Sequence, residues 1–509
     1  MTRKTLLTKG TVVDGTGAPP YQADVLIVGE LIVEIGRCEK PRECDVIDCT
    51  DLIIAPGFID SHNHLDLQVH EDRPERIHQG ITGEVVGNCG FSPYPATQYA
   101  ADLRAFASGL FCSQGEWGWS SAGEYISSIS NSKTEASVAS LVGHGSLRIA
   151  TAGNRLGPLT NQQVASMCDL LDDFLKAGAV GLSTGLMYVP GSSAPFDELE
   201  QLCRVVAKNG KTYATHIRSY SDKLVEAIDE QLELARRTGC RLQISHFQAA
   251  GAANWHLQQI ALEKLERAHD EGLDVAFDCY PYIAGSTVMT MLMPAWSLDG
   301  GVESMVARLL DPAQRRRISS EIVATLPWRW HDIYIAGVES EKNKKAIQRN
   351  LLELSDSAEV DPVNVMLDLL IEEKGMVNVL LFNQSESNLK QTLSHPLSII
   401  VSDGFYVKGL PHPRLFGTFP KFIGTYCRDH QWITLAEAVS KITDMPAQRF
   451  GLKKTGRLQA GFIANVTVFD LNEIDSPATY EQPTLPPRGV KYVFRKGTNC
   501  LSQTNQLER

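Results

Sequence analysis

Residues 53–66 read IIAPGFIDSHNHLD, an apolar run that ends in Asp60 and is followed, after Ser61, by His62-Asn63-His64. The first eight residues have the length and composition of a buried strand. The triplet continues an extended segment, where alternation puts both imidazoles on the same side of the chain. Alone, two histidines at this spacing are weak evidence, since a pair of surface histidines explains them equally well. The weight comes from a pattern that recurs downstream: a short apolar strand with a potential ligand at its C-terminal end.

GEVVGNC (83–89) ends at Cys89, TYATH (212–216) at His216, LQISH (242–246) at His246 and LSIIVSD (397–403) at Asp403. SVASLVGH (137–144), AVGLST (179–184) and DVAFDCY (274–280) complete a set of eight with 53–60. Helix-like stretches lie between them, such as NQQVASMCDLLDDFLKAG and DKLVEAIDEQLELARRTG, each closed by glycine. Strands alternating with helices predict an α/β fold with a parallel sheet, and eight of them a (β/α)8 TIM-type barrel. Barrel active sites lie at the C-terminal strand ends, so His62, His64, Cys89, His216, His246 and Asp403 are predicted to converge.

Each residue has a plainer explanation. A histidine ending one apolar strand is usually a core residue bonded to a carbonyl, a buried cysteine is usually a small hydrophobe, and an aspartate before glycine is usually a turn residue. Two histidines at corresponding positions of successive βα units are harder to explain that way. Imidazole and thiolate are ligands that zinc accepts. Zinc lowers the pKa of a water it binds to about 7, so a carboxylate beside it can take the proton. Five ligands and Asp403 as catalytic base are therefore expected.

The chain ends read differently. LLTKGTVV, ADVLIVGELIVEIG and DVIDCTDLIIA in residues 5–54 are short β runs separated by turn signals, which predicts a small antiparallel sheet. GRLQAGFIANVTVFDLNEI (456–474) and GVKYVFRKG (489–497) repeat the pattern. Residues 1–54 and 446–509 are thus expected to build one small β-sandwich domain, and 55–445 the hydrolase barrel. Within it, 286–390 reads as a mostly helical insertion that caps the site before the last barrel strand. The run VNVLLFN (377–383) is left without a place.

Composition is that of an ordinary globular chain, and the net charge of −12 argues against nucleic-acid or anionic-membrane partners. The opening MTRKTLLTKGTVVDGTG has no apolar run of signal-peptide length, and no stretch approaches a membrane span. A soluble, cytoplasmic protein is expected. The 11 cysteines form no CxxC pair and are odd in number, which speaks against a disulfide framework.

In order along the chain, GTVVDGTGAPPYQADVLIVG, PGFIDSHNHLD, GNCGFSP, LVGHGSLR, GLSTGLMYVPG, ATHIR, QISHFQAAG, DCYPYIAGST, SDG, HPRLFGTFP and MPAQRFGLKKTGRLQAGFIANVTVFD resemble the amidohydrolase superfamily. Within it they look most like the N-acyl-D-amino-acid deacylase (D-aminoacylase) branch, over essentially the whole chain. The resemblance implies that Cys89 replaces the bridging carbamylated lysine of hydantoinases. It also implies that Cys89, His216 and His246 form a tight zinc site, with His62 and His64 serving a second, weaker metal position. Asp403 would activate the hydrolytic water and protonate the leaving amine. Tyr188, Tyr282 and Arg414 would line the substrate pocket, and His144 would sit at its rim, near the scissile carbonyl.

Two positions depart from the branch pattern. Gln248 stands where a lysine usually helps grip the substrate carboxylate, and His216-Ile217-Arg218-Ser219-Tyr220 lacks the acidic residue usual after the fifth-strand histidine. The implied reaction is hydrolysis of an N-acyl or peptide-like amide of a small D-configured substrate. A cyclic-amide hydrolase would need a lysine after the fourth strand, where this chain has GLSTGLMY. A catalytically inactive scaffold is a third reading, opposed by the intact ligand set.

Overall fold

At Gly57 the chain leaves one sheet and starts another. A Cβ there would stand 2.2 Å from the Thr82 hydroxyl, so only glycine lets the two strands pass this closely. The computed structural model describes residues 3–71, 73–112, 117–131 and 136–501. The stretch 53–60, read above as one strand, is two: Ile53–Pro56 belongs to the terminal sheet and Phe58–Asp60 opens the barrel.

The barrel strands follow in chain order as Phe58–Asp60, Ile81–Val86, Ser137–Gly143, Gly181–Gly185, Thr212–His216, Arg241–Ile244, Val275–Cys279 and Ser398–Ile400. Neighbours pair in parallel throughout. Most of their residues are buried, as expected of strands covered on both faces. The eighth strand meets the first just beyond its end: Asp403 N–H donates to His62 O at 2.7 Å and His64 N–H to Gly404 O at 2.9 Å.

The helices between strands form where their caps predict. Asn161–Lys176 starts at a Thr160–Gln163 capping box and turns Val164, Met167, Leu171 and Phe174 inward. Leu224–Thr238 stops at Gly239, whose φ of 69° is left-handed. No helix among the described residues is long and apolar enough to cross a membrane.

Both chain ends share one sheet. Ile53–Pro56 pairs antiparallel with Val466–Phe469, and Leu7, Val25, Ile54, Val466 and Phe494 fill the core beneath. The sheet is mixed, not purely antiparallel as the sequence suggested. Lys4–Val12 pairs in parallel with Asp45–Asp48 and Ile53–Pro56, the Tyr21–Gly36 hairpin serving as crossover.

The segment before the last barrel strand carries helices packed on a three-stranded antiparallel sheet, Ala284–Val288, Val377–Phe382 and Ile333–Val338. The run unplaced in the sequence is the middle strand of that sheet.

A buried ionic cluster ties the barrel shut. Arg73 holds Glu84 with two bonds of 2.6 and 2.9 Å, while Arg76 bonds Asp60 and lies 3.2 Å from Glu84. Asp60 also accepts from Ser402 N–H at 2.9 Å, joining the first strand to the segment that follows the eighth. Asp60→Ala should leave Arg76 without this anion and cost about 3–5 kcal/mol of stability, the usual cost of breaking a buried pair. A chemical-denaturation midpoint translating to less than about 1 kcal/mol would contradict this role.

Candidate active site

The site is built from strand ends that turn sharply. Cys89, His246 and Asp403 have left-handed φ values of 52°, 34° and 49°. Non-glycine residues pay about 1–3 kcal/mol for such backbone and collect at functional sites. The fourth strand makes room for the turn at Cys89, since a Cβ on Gly185 would stand 2.1 Å from Cys89 O.

His62 is the hub. Its Nδ1 lies 3.1 Å from Asp278 Oδ1, and its Nε2 lies 3.3 Å from Cys89 Sγ and 3.4 Å from Asp403 Oδ1. Cys89 Sγ is also 3.4 Å from His246 Nε2, and Asp403 Oδ1 is 3.3 Å from His64 Nε2. His62, His64 and Cys89 form one cluster, and Cys89, His216 and His246 a second. Within each, the donor atoms lie inside 4.8 Å of one another. The sequence-predicted ligands are thus brought together, and Cys89 belongs to both groups.

The donors fit a metal. Both ring nitrogens of His216, which stands in the second cluster, are buried without a hydrogen-bond partner among the described residues. Each such group costs about 1–3 kcal/mol unless something binds it. Donors around one tetrahedral zinc stand roughly 3.3–3.7 Å apart, in line with the Sγ–Nε2 separations here. Burial pushes the His216 ring down to about 4, which keeps it neutral and able to ligate. Burial opposes charge on Cys89, but the imidazoles of His62 and His246 pull its thiol well below the ordinary range. Asp403, although buried, is held well below the usual carboxylate range by the Arg414 guanidinium and by His62.

Sequence reading missed Asp278. It sits inside the apolar seventh strand, one residue from its end, where a carboxylate needs a reason. Its Oδ1 faces His62 and accepts His246 N–H at 2.6 Å, while its Oδ2 accepts from Gln243 Nε2 at 3.0 Å. A carboxylate behind a ligating imidazole fixes its tautomer and orientation.

Above the centre lies a cavity of about 630 Å³. Tyr188, Gln248 and Arg414 line it, but Tyr282 and His144 do not. Tyr282 packs on His412, with ring centroids 5.0 Å apart, and Tyr280 takes the cavity-facing place. His144 opens the helix His144–Ala152 and is fully buried, its Nε2 2.8 Å from Glu198 Oε1. It is therefore not at the rim, because its ring is engaged by a carboxylate that Arg148 also binds at 2.9 Å.

Arg414 is buried against the cavity. Nη1 stands 2.8 Å from Asp403 Oδ2, Nη2 donates to Ser286 O at 3.2 Å, and Cζ lies 4.6 Å from the Tyr280 ring centroid. Its Nε has no hydrogen-bond partner among the described residues. Gln248 Oε1 accepts from Tyr280 O–H at 3.3 Å, which leaves its amide NH2 for a ligand.

A parallel barrel that gathers imidazole, thiolate and carboxylate groups at its C-terminal rim has the architecture of a metal-assisted hydrolase. Residues 45–499 match the Amidohydrolase family, and the chain belongs to that family. It is 34% identical to the N-acyl-D-glutamate deacylase of Alcaligenes xylosoxydans xylosoxydans, over 98% of this chain and 94% of that one. It is 30% identical to the D-aminoacylase of the same organism, over 97% and 93%. The crystal structure of N-acyl-D-glutamate deacylase from Bordetella bronchiseptica, complexed with zinc and a phosphonate mimic of the tetrahedral intermediate, superposes with a TM-score of 0.83. That match has 31% identity and covers 98% of this chain and 96% of that one.

Proposed function

We propose that this protein is a zinc-dependent hydrolase of the N-acyl bond of a D-configured amino acid or of its amide. The observation that carries the reading is Cys89 shared by two ligand triads, with Asp403 standing 3.3–3.4 Å from His64 and His62. The D configuration is taken from what the named relatives act on.

Zinc bound to these donors would polarise the scissile carbonyl and lower the pKa of the attacking water. Asp403 accepts a proton from that water as its oxygen bonds to the carbonyl carbon. It then delivers the proton to the amine nitrogen as the C–N bond breaks. Asp278 keeps His62 oriented throughout. Arg414, Gln248 and Tyr280 form the polar wall that receives the group beyond the amide nitrogen.

A screen of the zinc-loaded protein against N-acyl-D and N-acyl-L amino acids, their amides and short D-containing peptides tests the reading. Turnover confined to N-acyl-L compounds, or absent on all, would overturn it.

Gln248 sets a second expectation. Its free NH2 donates equally to a carboxylate and to an amide carbonyl, whereas an ammonium prefers the anion. With Arg414 already paired to Asp403, the site should discriminate little in favour of a free acid. The kcat/KM for an N-acyl-D-aminoacyl amide should equal or exceed that for the matching acid. Gln248→Lys should shift the ratio toward the acid by about tenfold, the effect of one charge-assisted contact. A wild-type preference for the acid of about tenfold or more, unmoved by the substitution, would show that another cation fills this role.

A further inference from the structure

Beside the main cavity lies a smaller one of about 110 Å³, and Met187, Tyr188 and Met291 line both. Most of its remaining wall comes from two units, with Asn154 and Val189 added from the segments after the third and fourth barrel strands. Phe91 and Phe106, stacked 4.1 Å apart, belong to the segment after the second barrel strand, Phe91 in its loop and Phe106 in the helix Ala100–Ala107. Val288, Leu298 and Met305 belong to the insertion. None of its lining side chains carries a charge; apart from Asn154, Thr290 and the Tyr188 hydroxyl they are apolar. Space of this size accommodates several water-sized groups.

Its position is fixed by Tyr188. That ring is 4.9 Å from the His216 ring and 5.2 Å from the Phe91 ring, so one side chain separates the ligand cluster from the side cavity. The Tyr188 hydroxyl stands 3.2 Å from Thr287 Oγ1, which holds the ring in that place. None of Gln248, Tyr280, Ser286 and Arg414 lines the side cavity. Polar and apolar recognition are therefore segregated around the centre.

We infer that the side cavity receives the tail of the substrate's acyl group, and that the protein prefers N-acyl chains of about four to six carbons over N-acetyl. This rests on the N-acyl hydrolysis proposed above. With the amine-side group on the polar wall and the carbonyl at the ligand cluster, the acyl substituent points to the Met187–Tyr188–Met291 side. Charged or strongly polar acyl groups find no counter-ion there.

The test is a series of N-acetyl-, N-butanoyl- and N-hexanoyl-D-leucine on the zinc-loaded protein. kcat/KM should rise about fourfold per methylene, the transfer value of a buried CH2. Calorimetric titration with acetate, butanoate and hexanoate gives an independent measure, and affinity should climb by the same factor. Val288→Phe fills the cavity from the insertion and Ala105→Phe from an exposed helix position. Each should pull the hexanoyl-to-acetyl ratio down toward unity, so the failure of one variant to fold leaves the other. A flat or falling series in the unmodified protein overturns the inference, as does a slope that survives both substitutions. Rising alkanoate affinity without turnover of any N-acyl compound would keep the cavity's role and refute the reaction instead.

Discussion

Cys89→Ala should strip the protein of zinc and lower its activity by at least about a hundredfold, because one sulfur serves both ligand clusters. Its Sγ lies 3.3 Å from His62 Nε2 and 3.4 Å from His246 Nε2, and it is the one donor common to the two triads. Losing it leaves each cluster with two imidazoles, one short of what a catalytic zinc ordinarily takes from protein. Even residues that only orient a ligand cost about 10–100-fold in metal affinity or activity when replaced, so removing a shared donor should cost more. The fold has little reason to fail. Cys89 is buried in a small apolar cluster with Phe91, Leu110 and Phe405, and alanine keeps most of its volume. The left-handed backbone at 89 persists, since Gly185 still makes room beside it. Elemental analysis after exhaustive dialysis, with a denaturation midpoint as control, reads the result. Near-stoichiometric zinc and a near-normal rate would show that the thiol is a bystander.

The barrel, and the convergence of the candidate ligands at one rim, were legible because both obey short-range rules. Strand, helix and strand alternate in the sequence, and in such a barrel the last residue of each strand is committed to the same rim. His216 in TYATH and His246 in LQISH needed nothing more. Legibility stopped where the strand stopped. Tyr280 and Tyr282 stand two residues apart in DCYPY, and period-two alternation would place them on one side. The seventh strand ends at Cys279, however, so the loop decides, and it turns Tyr280 to the cavity and Tyr282 toward His412. His144 was misplaced for a similar reason: it begins a helix, and its partner Glu198 comes from another βα unit. Asp278 looked like part of a strand because nothing local says which imidazole stands behind it. The middle strand of the insertion's sheet, Val377–Phe382, pairs with Ile333–Val338 and with the still more distant Ala284–Val288, and the terminal sheet joins Ile53–Pro56 to Val466–Phe469. Pairings of that range leave no periodic trace in either partner.

Asp403→Asn should remove most of the activity while leaving fold and metal in place, and the geometry says why the two separate. The backbone at 403 is held without its carboxylate: its N–H donates to His62 O, and Gly404 O accepts from His64 N–H. The two clusters that could hold a metal, His62–His64–Cys89 and Cys89–His216–His246, do not include it. What the substitution removes is a charge and a proton acceptor at Oδ1, 3.3–3.4 Å from the ring nitrogens of His64 and His62. A general acid–base group typically contributes 10²–10⁴-fold. This one takes the proton from water and then gives it to the amine, so both half-steps fail together and the loss should fall at the upper end. Arg414 adds a complication, because its Nη1 loses the anion 2.8 Å away. A guanidinium released from Asp403 would bind an anionic substrate more tightly, so KM for the acid should hold or fall. The expected signature is thus a collapse of kcat with KM unchanged or lower, which a general loss of site structure would not produce. Measured zinc should match the unmodified protein. A rate within about tenfold of the original would move the base elsewhere.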